Sequence, residues 1–303
     1  MKYSLRTFIR NLRYLWRYNL KEIDNKLHDL FKSAPTSDYF YNFAEMLRDE
    51  IKNDFDTITP PIVKDNFETL QILLDSQKSF IRFGDGEYIL MEGGSIGFQK
   101  YDKNLAQTLQ EIITSQDENL LIGLGYSLFH APTENSRSPW FRYTWVAENY
   151  HIIKKYLVPH KVYGATDISQ VYAGYKEYDF ERHYALLKQL FIGKKILVIC
   201  GDKVLANAQY SIFEECKDIA YLYGATKHAY EGIGTLRRQI LNFSKDYVLL
   251  FALGPAGKAL GYEMFKLGYR VLDIGHSIKD YDAYKRRMQM DKKGVAQFFA
   301  PDE

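Results

Sequence analysis

Cysteine is scarce in this 303-residue sequence: there are two, Cys200 and Cys216. Their spacing matches no zinc or redox motif, and two isolated thiols suit a reducing compartment rather than a disulfide-built fold. No apolar run reaches the roughly 18 residues a helix needs to cross a bilayer, so no transmembrane span is expected. The N-terminus is basic but lacks the continuous apolar core of a signal peptide, so none is expected there. Charge of one sign is not in excess either: 40 Lys and Arg face 38 Asp and Glu, leaving +2. Without a strong field to draw it, nucleic acid is not an expected partner. These absences predict a cytoplasmic protein, with the inner face of the membrane left open by the N-terminus discussed below.

Hydrophobic residues make up 46% and charged residues 26% of the chain, enough for a sizeable core. The abundant aromatics are tyrosine and phenylalanine, 25 and 19 residues. Tyrosine-rich clefts suit sugars, because rings stack on sugar faces and hydroxyls bond to them, although tyrosine also fills ordinary cores.

Residues 2–21 carry Lys2, Arg6, Arg10, Arg13, Arg17 and Lys21, with no acid before Glu22. Leu5, Phe8, Ile9, Leu12, Leu15 and Trp16 fall between them at helical spacing. Such a helix could lie on an anionic membrane surface, or pack on the main domain or on a second subunit of a homo-oligomer. The charged stretch that follows closes on Pro60-Pro61, a boundary signal. The chain is therefore divided into a helical basic extension, 1–60, and a main domain, 61–303.

In the main domain, helical patterns over 65–76, 103–115, 140–156, 180–190, 205–216, 235–243, 256–267 and 280–290 alternate with short apolar runs. Those runs cover 80–83, 120–124, 162–164, 196–200, 219–223, 248–253 and 271–274. Near-continuous apolar strands between helices predict an α/β fold: a Rossmann-like, mostly parallel sheet with helices on both faces. Such sheets bind ligands at the carboxyl ends of their strands.

Polar signatures fall at those ends. After the first run comes Gly84-Asp85-Gly86-Glu87, two carboxylates two residues apart, each preceded by a glycine that lets a ligand approach. Two hard oxygen ligands suit Mg²⁺ or Mn²⁺ shared with a phosphate. Gly201-Asp202-Lys203 follows another strand. Gly254-Pro255-Ala256-Gly257-Lys258 turns into a helix whose first amides can hold an anion, with Lys258 adding a point charge. His276 closes Asp273-Ile274-Gly275-His276 after the last strand. His130 lies in a loop that could line the cleft, and Trp140, Arg142 and Tyr143 open a helix that either buries its aromatic face or meets a sugar or phosphate.

The blocks RFGDGE, IGFQKYD and FALGPAGKALGYEMFKLGYRVLDIGH resemble those of a bacterial glycosyltransferase family with the GT-D fold, formerly a domain of unknown function. The resemblance runs from about residue 66 to residue 284. It implies transfer of a sugar from a nucleotide-sugar donor, a UDP-sugar foremost, to a glycan, glycoprotein or lipid-linked acceptor in bacterial surface polysaccharide or glycoprotein assembly. It implies a divalent metal, with Asp85 and Glu87 at the metal and diphosphate. Arg82 and the turn after Leu253 would complete the donor pocket. Two stretches depart from the family pattern: Ser169-Gln170-Val171 stands where Ser-Arg-Pro is usual, and Leu205–Gln209 replaces a glycine-rich run.

The sequence thus predicts a metal-dependent glycosyltransferase. Glu87, Asp202 and His276 remain alternatives for a general base. A nucleotide-dependent phosphohydrolase could use the same residues on a similar sheet, and a non-catalytic nucleotide-sugar-binding partner is the third reading.

Overall fold

The computed structural model describes residues 58–130, 135–137, 145–201 and 208–299, together with Ile9, Leu12 and Val204. The chain divides into two compact units: one is drawn from 1–59 and 143–150, the other from 60–142 and 151–303. The second carries the whole described sheet.

Its eight strands are β1 (Ile62–Val63), β2 (Ser79–Arg82), β3 (Leu120–Leu124), β4 (Val162–Ala165), β5 (Lys195–Gly201), β6 (Asp218–Gly224), β7 (Tyr247–Ala252) and β8 (Val271–Asp273). They lie in the order β1-β4-β3-β2-β8-β7-β5-β6. Every pairing is parallel. From β2 the chain steps outward through β3 to β4, then crosses over to build β5 and β6. It returns through β7 to set β8 beside β2. The direction of winding therefore reverses between β2 and β8, and a crevice opens at the carboxyl ends of strands at such a point.

The longer helices are α1 (Asn66–Asp75), α2 (Asp85–Met91), α3 (Lys103–Thr114), α4 (Ala147–Tyr156), α5 (Phe180–Gln189), α6 (Ile233–Ile240), α7 (Gly254–Lys266), α8 (Ser277–Lys285) and α9 (Lys292–Phe299). Alternation along β5 shows why the strands read as unbroken apolar runs. Ile196, Val198 and Cys200 pack with Leu70 and Leu73 of α1, Tyr184 and Leu187 of α5, and Ile278 and Tyr281 of α8. Leu197 and Ile199 point the other way, to Leu236 and Ile240 of α6 and Leu260 and Met264 of α7. Both faces are covered, so neither set of side chains can be polar.

Several elements differ from the sequence reading, which did not include α9. Residues 208–216 form bends and turns, not a helix. There the amides of Gln209 and Tyr210 donate to Asp282 Oδ1 at 2.7 and 3.0 Å, and that of Phe213 to Ser211 Oγ, so a helical ladder has no claim on them. The Gly-Asp-Gly-Glu stretch opens helix α2 directly, with Gly84 as its cap. Strand β1 was not foreseen; at two residues it is too short to leave a periodic pattern.

Candidate active site

Strand β2 ends on Arg82, and its guanidinium crosses to β8. Nη2 donates to Asp273 Oδ1 at 2.9 Å, Nε to the Asp273 carbonyl at 3.1 Å, and the main-chain N–H of Arg82 to Asp273 Oδ2 at 3.3 Å. Nη1 donates to Ser169 Oγ and, at 3.4 Å, to the carbonyl of Thr166. Gly275 makes room for this. A β-carbon there would fall 1.7 Å from Nη2, and its φ of +43° is one that glycine adopts readily.

Glu87, in the first turn of α2, folds back on the start of its own helix. Its Oε2 accepts the Gly84 N–H at 2.7 Å, satisfying an amide that the helix leaves open. Its Oε1 takes Lys258 Nζ at 2.9 Å, and the same ammonium reaches Asp273 Oδ2 at 3.4 Å. The result is a chain of alternating charge, Arg82–Asp273–Lys258–Glu87, in which every member is only 5–7% exposed. Two cations and two anions cancel, and every charge is hydrogen-bonded, the condition under which buried ions are tolerated. Burial alone would push the Asp273 carboxyl up; the Arg82 guanidinium and Lys258 ammonium outweigh it and hold it below the usual carboxylate range.

Asp85 differs from its neighbour. It stands half-buried at the start of α2 and makes no ion pair among the described residues. Burial, and then the nearby charge of Glu87, push its pKa up. Of the two carboxylates singled out from the sequence, Glu87 therefore spends both oxygens within the protein, while Asp85 spends none on a cation.

The remaining candidates sort by position. Gly254 and Pro255 open α7 at the same carboxyl edge, with Gly254 at φ +56°. Lys258, expected at a phosphate, is held between Glu87 and Asp273. His276 precedes α8, its ring 5.6 Å from that of Phe298. Burial first, then Arg82, Lys279 and Lys258, bring its pKa down to about 3, so the imidazole is neutral at neutral pH. His130 bonds the Pro61 carbonyl at 3.1 Å and takes no part in the charge cluster. Asp202 and Lys203 lie outside the described residues, as do Trp140, Arg142 and Tyr143.

Sequence reasoning passed over Asp273 and Ser169 as site residues. Asp273 had a signal, an acid at a strand end, but its partner lies 191 residues earlier and is brought to it only by the β2–β8 pairing. Ser169 had none.

Among the described residues no three His, Cys, Asp or Glu side chains gather into a metal-binding group. The corner offers a cation one open carboxylate, Asp85. That does not fit a cage of protein ligands alone. It does fit Mg²⁺ or Mn²⁺, hard ions that keep several waters and share substrate phosphates. A cavity of about 320 Å³ lies elsewhere, at the amino ends of the strands beside Gln77, Lys194 and Arg270.

A sequence model described as the glycosyltransferase GT-D fold matches residues 80–298, well over half of the chain. The chain belongs to the GT-D-fold glycosyltransferase family. Over 227 residues it is 27% identical to Glycosyltransferase GlyD of Streptococcus pneumoniae serotype 4, a match covering 74% of this chain and 28% of GlyD. It is 29% identical, also over 227 residues, to a Probable glycosyl transferase Gly of Streptococcus gordonii, covering 72% of this chain and 32% of that protein. The chain thus spans about a third or less of the length of these curated relatives. Among solved structures it is similar to a chain reported under "The highly conserved domain of unknown function 1792 has a distinct glycosyltransferase fold". The TM-score is 0.74 and the identity 25%, covering 80% of this chain and 87% of that one. A second, reported as a new glycosyltransferase from Streptococcus sanguinis, has a TM-score of 0.70 and 26% identity, covering 75% of this chain and 86% of that one. The charge cluster and Asp85 lie wholly within the GT-D span.

Proposed function

We propose that the chain is a metal-dependent glycosyltransferase that moves a sugar from a nucleotide-sugar donor, a UDP-sugar, to a glycan, glycoprotein or lipid-linked acceptor of the bacterial cell surface. The observation that carries this reading is the contrast at the carboxyl edge: half-buried Asp85 makes no ion pair among the described residues, beside a charge cluster that is already neutral and already assembled. Asp85 would hold Mn²⁺ or Mg²⁺. When bound, such an ion offsets the charge that develops on a diphosphate leaving group.

The chain's own residues do the rest. Glu87, tied to Lys258 and to Gly84, fixes the first turn of α2 and so aims Asp85. At the start of α7 the amides of Gly254 and Ala256, Pro255 having none, lie at the same edge and suit the diphosphate. Arg82 and Lys258 act from behind, locking β2, β8, α2 and α7 into one geometry before the donor arrives; such preorganisation is the usual source of electrostatic catalysis. His276, kept neutral by burial and by Arg82, Lys279 and Lys258, is proposed to bond a substrate group as the uncharged imidazole.

The test is transfer from a panel of nucleotide sugars with Mn²⁺ and surface-glycan acceptors. Asp85→Asn is expected to lower the rate by about 10²-fold or more, the scale of one lost electrostatic contact, with the unfolding midpoint unchanged. Fast hydrolysis of the donor, indifferent to any acceptor, would contradict the reading.

The proposal extends to the first 60 residues as a helical extension. Its basic stretch, 2–21, is proposed to touch an anionic membrane from the cytoplasmic side. That stretch lies outside the described residues apart from Ile9 and Leu12, both exposed. No helix among the described residues is long and apolar enough to cross a membrane. Sedimentation with anionic liposomes is expected to be lost when residues 1–21 are removed; equal sedimentation of both chains would refute the contact.

A further inference from the structure

The segment between α2 and α3 leans on both glycine corners of the site. Ile96 packs against Gly86, where an added β-carbon would lie 3.1 Å from Ile96 Cδ1. Phe98 packs against Gly254, where an added β-carbon would lie 3.2 Å from the ring. The segment is internally braced: the amide of Ile96 donates to the Gln99 carbonyl at 2.9 Å, that of Gln99 to the Ile96 carbonyl at 3.2 Å, and that of Tyr101 to Ser95 Oγ at 2.9 Å. It is also pinned to the turn before α6. The His228 amide donates to the Phe98 carbonyl at 2.8 Å, the Lys100 amide to His228 Nδ1 at 3.1 Å, and the Tyr230 amide to Gln99 Oε1 at 3.4 Å.

Phe98 is nevertheless 43% exposed. A single exposed phenylalanine is ordinary on a protein surface. This one is held by main-chain bonds on both sides, on a glycine that lets it sit close. It rests against the opening residue of α7, the turn whose amides suit a diphosphate. A rigid aromatic ring next to a phosphate-binding turn is suited to a flat ring joined to that phosphate.

We propose that Phe98 is the stacking platform for the nucleobase of the donor. This rests on the reading of the carboxyl edge as a nucleotide-sugar site, and the experiment separates the two. The full chain is titrated calorimetrically, with Mn²⁺, against UDP, GDP, ADP, dTDP and inorganic pyrophosphate. The wild-type chain is expected to bind at least one nucleoside diphosphate more tightly than pyrophosphate. Phe98→Ala is expected to weaken that nucleotide roughly tenfold, the scale of one lost base–aromatic stack. Phe98→Trp should retain it, and pyrophosphate should bind all three proteins alike.

The platform is overturned if the alanine variant binds the nucleotide as the wild type does, or loses pyrophosphate to the same degree. It is equally overturned if no nucleotide exceeds pyrophosphate in the wild type. A wild-type chain that binds neither class of ligand overturns the glycosyltransferase site itself.

Discussion

Lys258 is the residue on which the buried charges turn. Remove its ammonium and Glu87 and Asp273 are left buried, with one cation, Arg82, that pairs with Asp273 and not with Glu87. Breaking a buried pair by deleting one partner costs about 3–5 kcal/mol, because the surviving charge is uncompensated. Lys258→Met is expected to lower the urea unfolding free energy by that amount. Asp85→Asn, which breaks no ion pair, is expected to leave it within about 0.5 kcal/mol. Equal losses in the two variants would contradict the division of labour between Asp85 and Glu87. At this scale the sequence was half legible. Two carboxylates after a strand, glycines before them and a lysine in a second glycine corner all stand in one-dimensional order. Which carboxylate the lysine neutralises does not, because the three side chains come from α2, α7 and β8 and meet only after the sheet has closed.

The short 3₁₀ turn at Thr166–Ser169 matters because it presents Ser169 to Arg82. Helix α5 fixes that turn through His183, whose Nε2 lies 3.0 Å from the Ile168 carbonyl and whose Nδ1 lies 3.1 Å from Tyr178 Oη. With Nε2–H donating and Nδ1 accepting from the tyrosine hydroxyl, the ring is neutral, and burial brings its pKa down to about 4. The folded state then binds fewer protons here than the unfolded chain between pH 6.5 and 4, so stability falls as pH drops through that window. The slope is about 1.4 kcal/mol per pH unit for one proton. Asp280, raised by burial to about 6 and accepting the amides of Tyr172 and Ala173, acts in the opposite sense, adding stability as pH falls below 6. The difference between wild type and His183→Gln isolates the histidine: the variant is expected to lose less stability between pH 6.5 and 4, and parallel curves would refute the assignment.

The elements themselves were largely legible. Period-free apolar runs marked β5, β7 and β8, and Leu105, Leu109 and Ile112 marked α3 by their spacing. Residues 208–216 misled because their helical spacing of apolar side chains coexists with amides claimed by Asp282 and Ser211. Local pattern does not register such distant acceptors.

For the whole molecule, the alternation of helices and apolar runs was enough to give a parallel sheet, and the signatures at strand ends were enough to give the edge that bears the site. Strand order was not legible, since nothing in β2 or β8 alone says that they are neighbours. Yet that adjacency brings Arg82 to Asp273 and sets the point where winding reverses, where sheets of this kind form a crevice. The central claim is that this crevice is the place where a metal and a nucleoside diphosphate bind, with Asp85 as the protein's contribution. The most direct measurement is an anomalous difference map from crystals soaked with Mn²⁺ and UDP. The account predicts a manganese peak at the Asp85 carboxylate, with the diphosphate between it and the first turn of α7. A peak elsewhere, or a diphosphate bound away from the carboxyl ends of β2, β7 and β8, would contradict it.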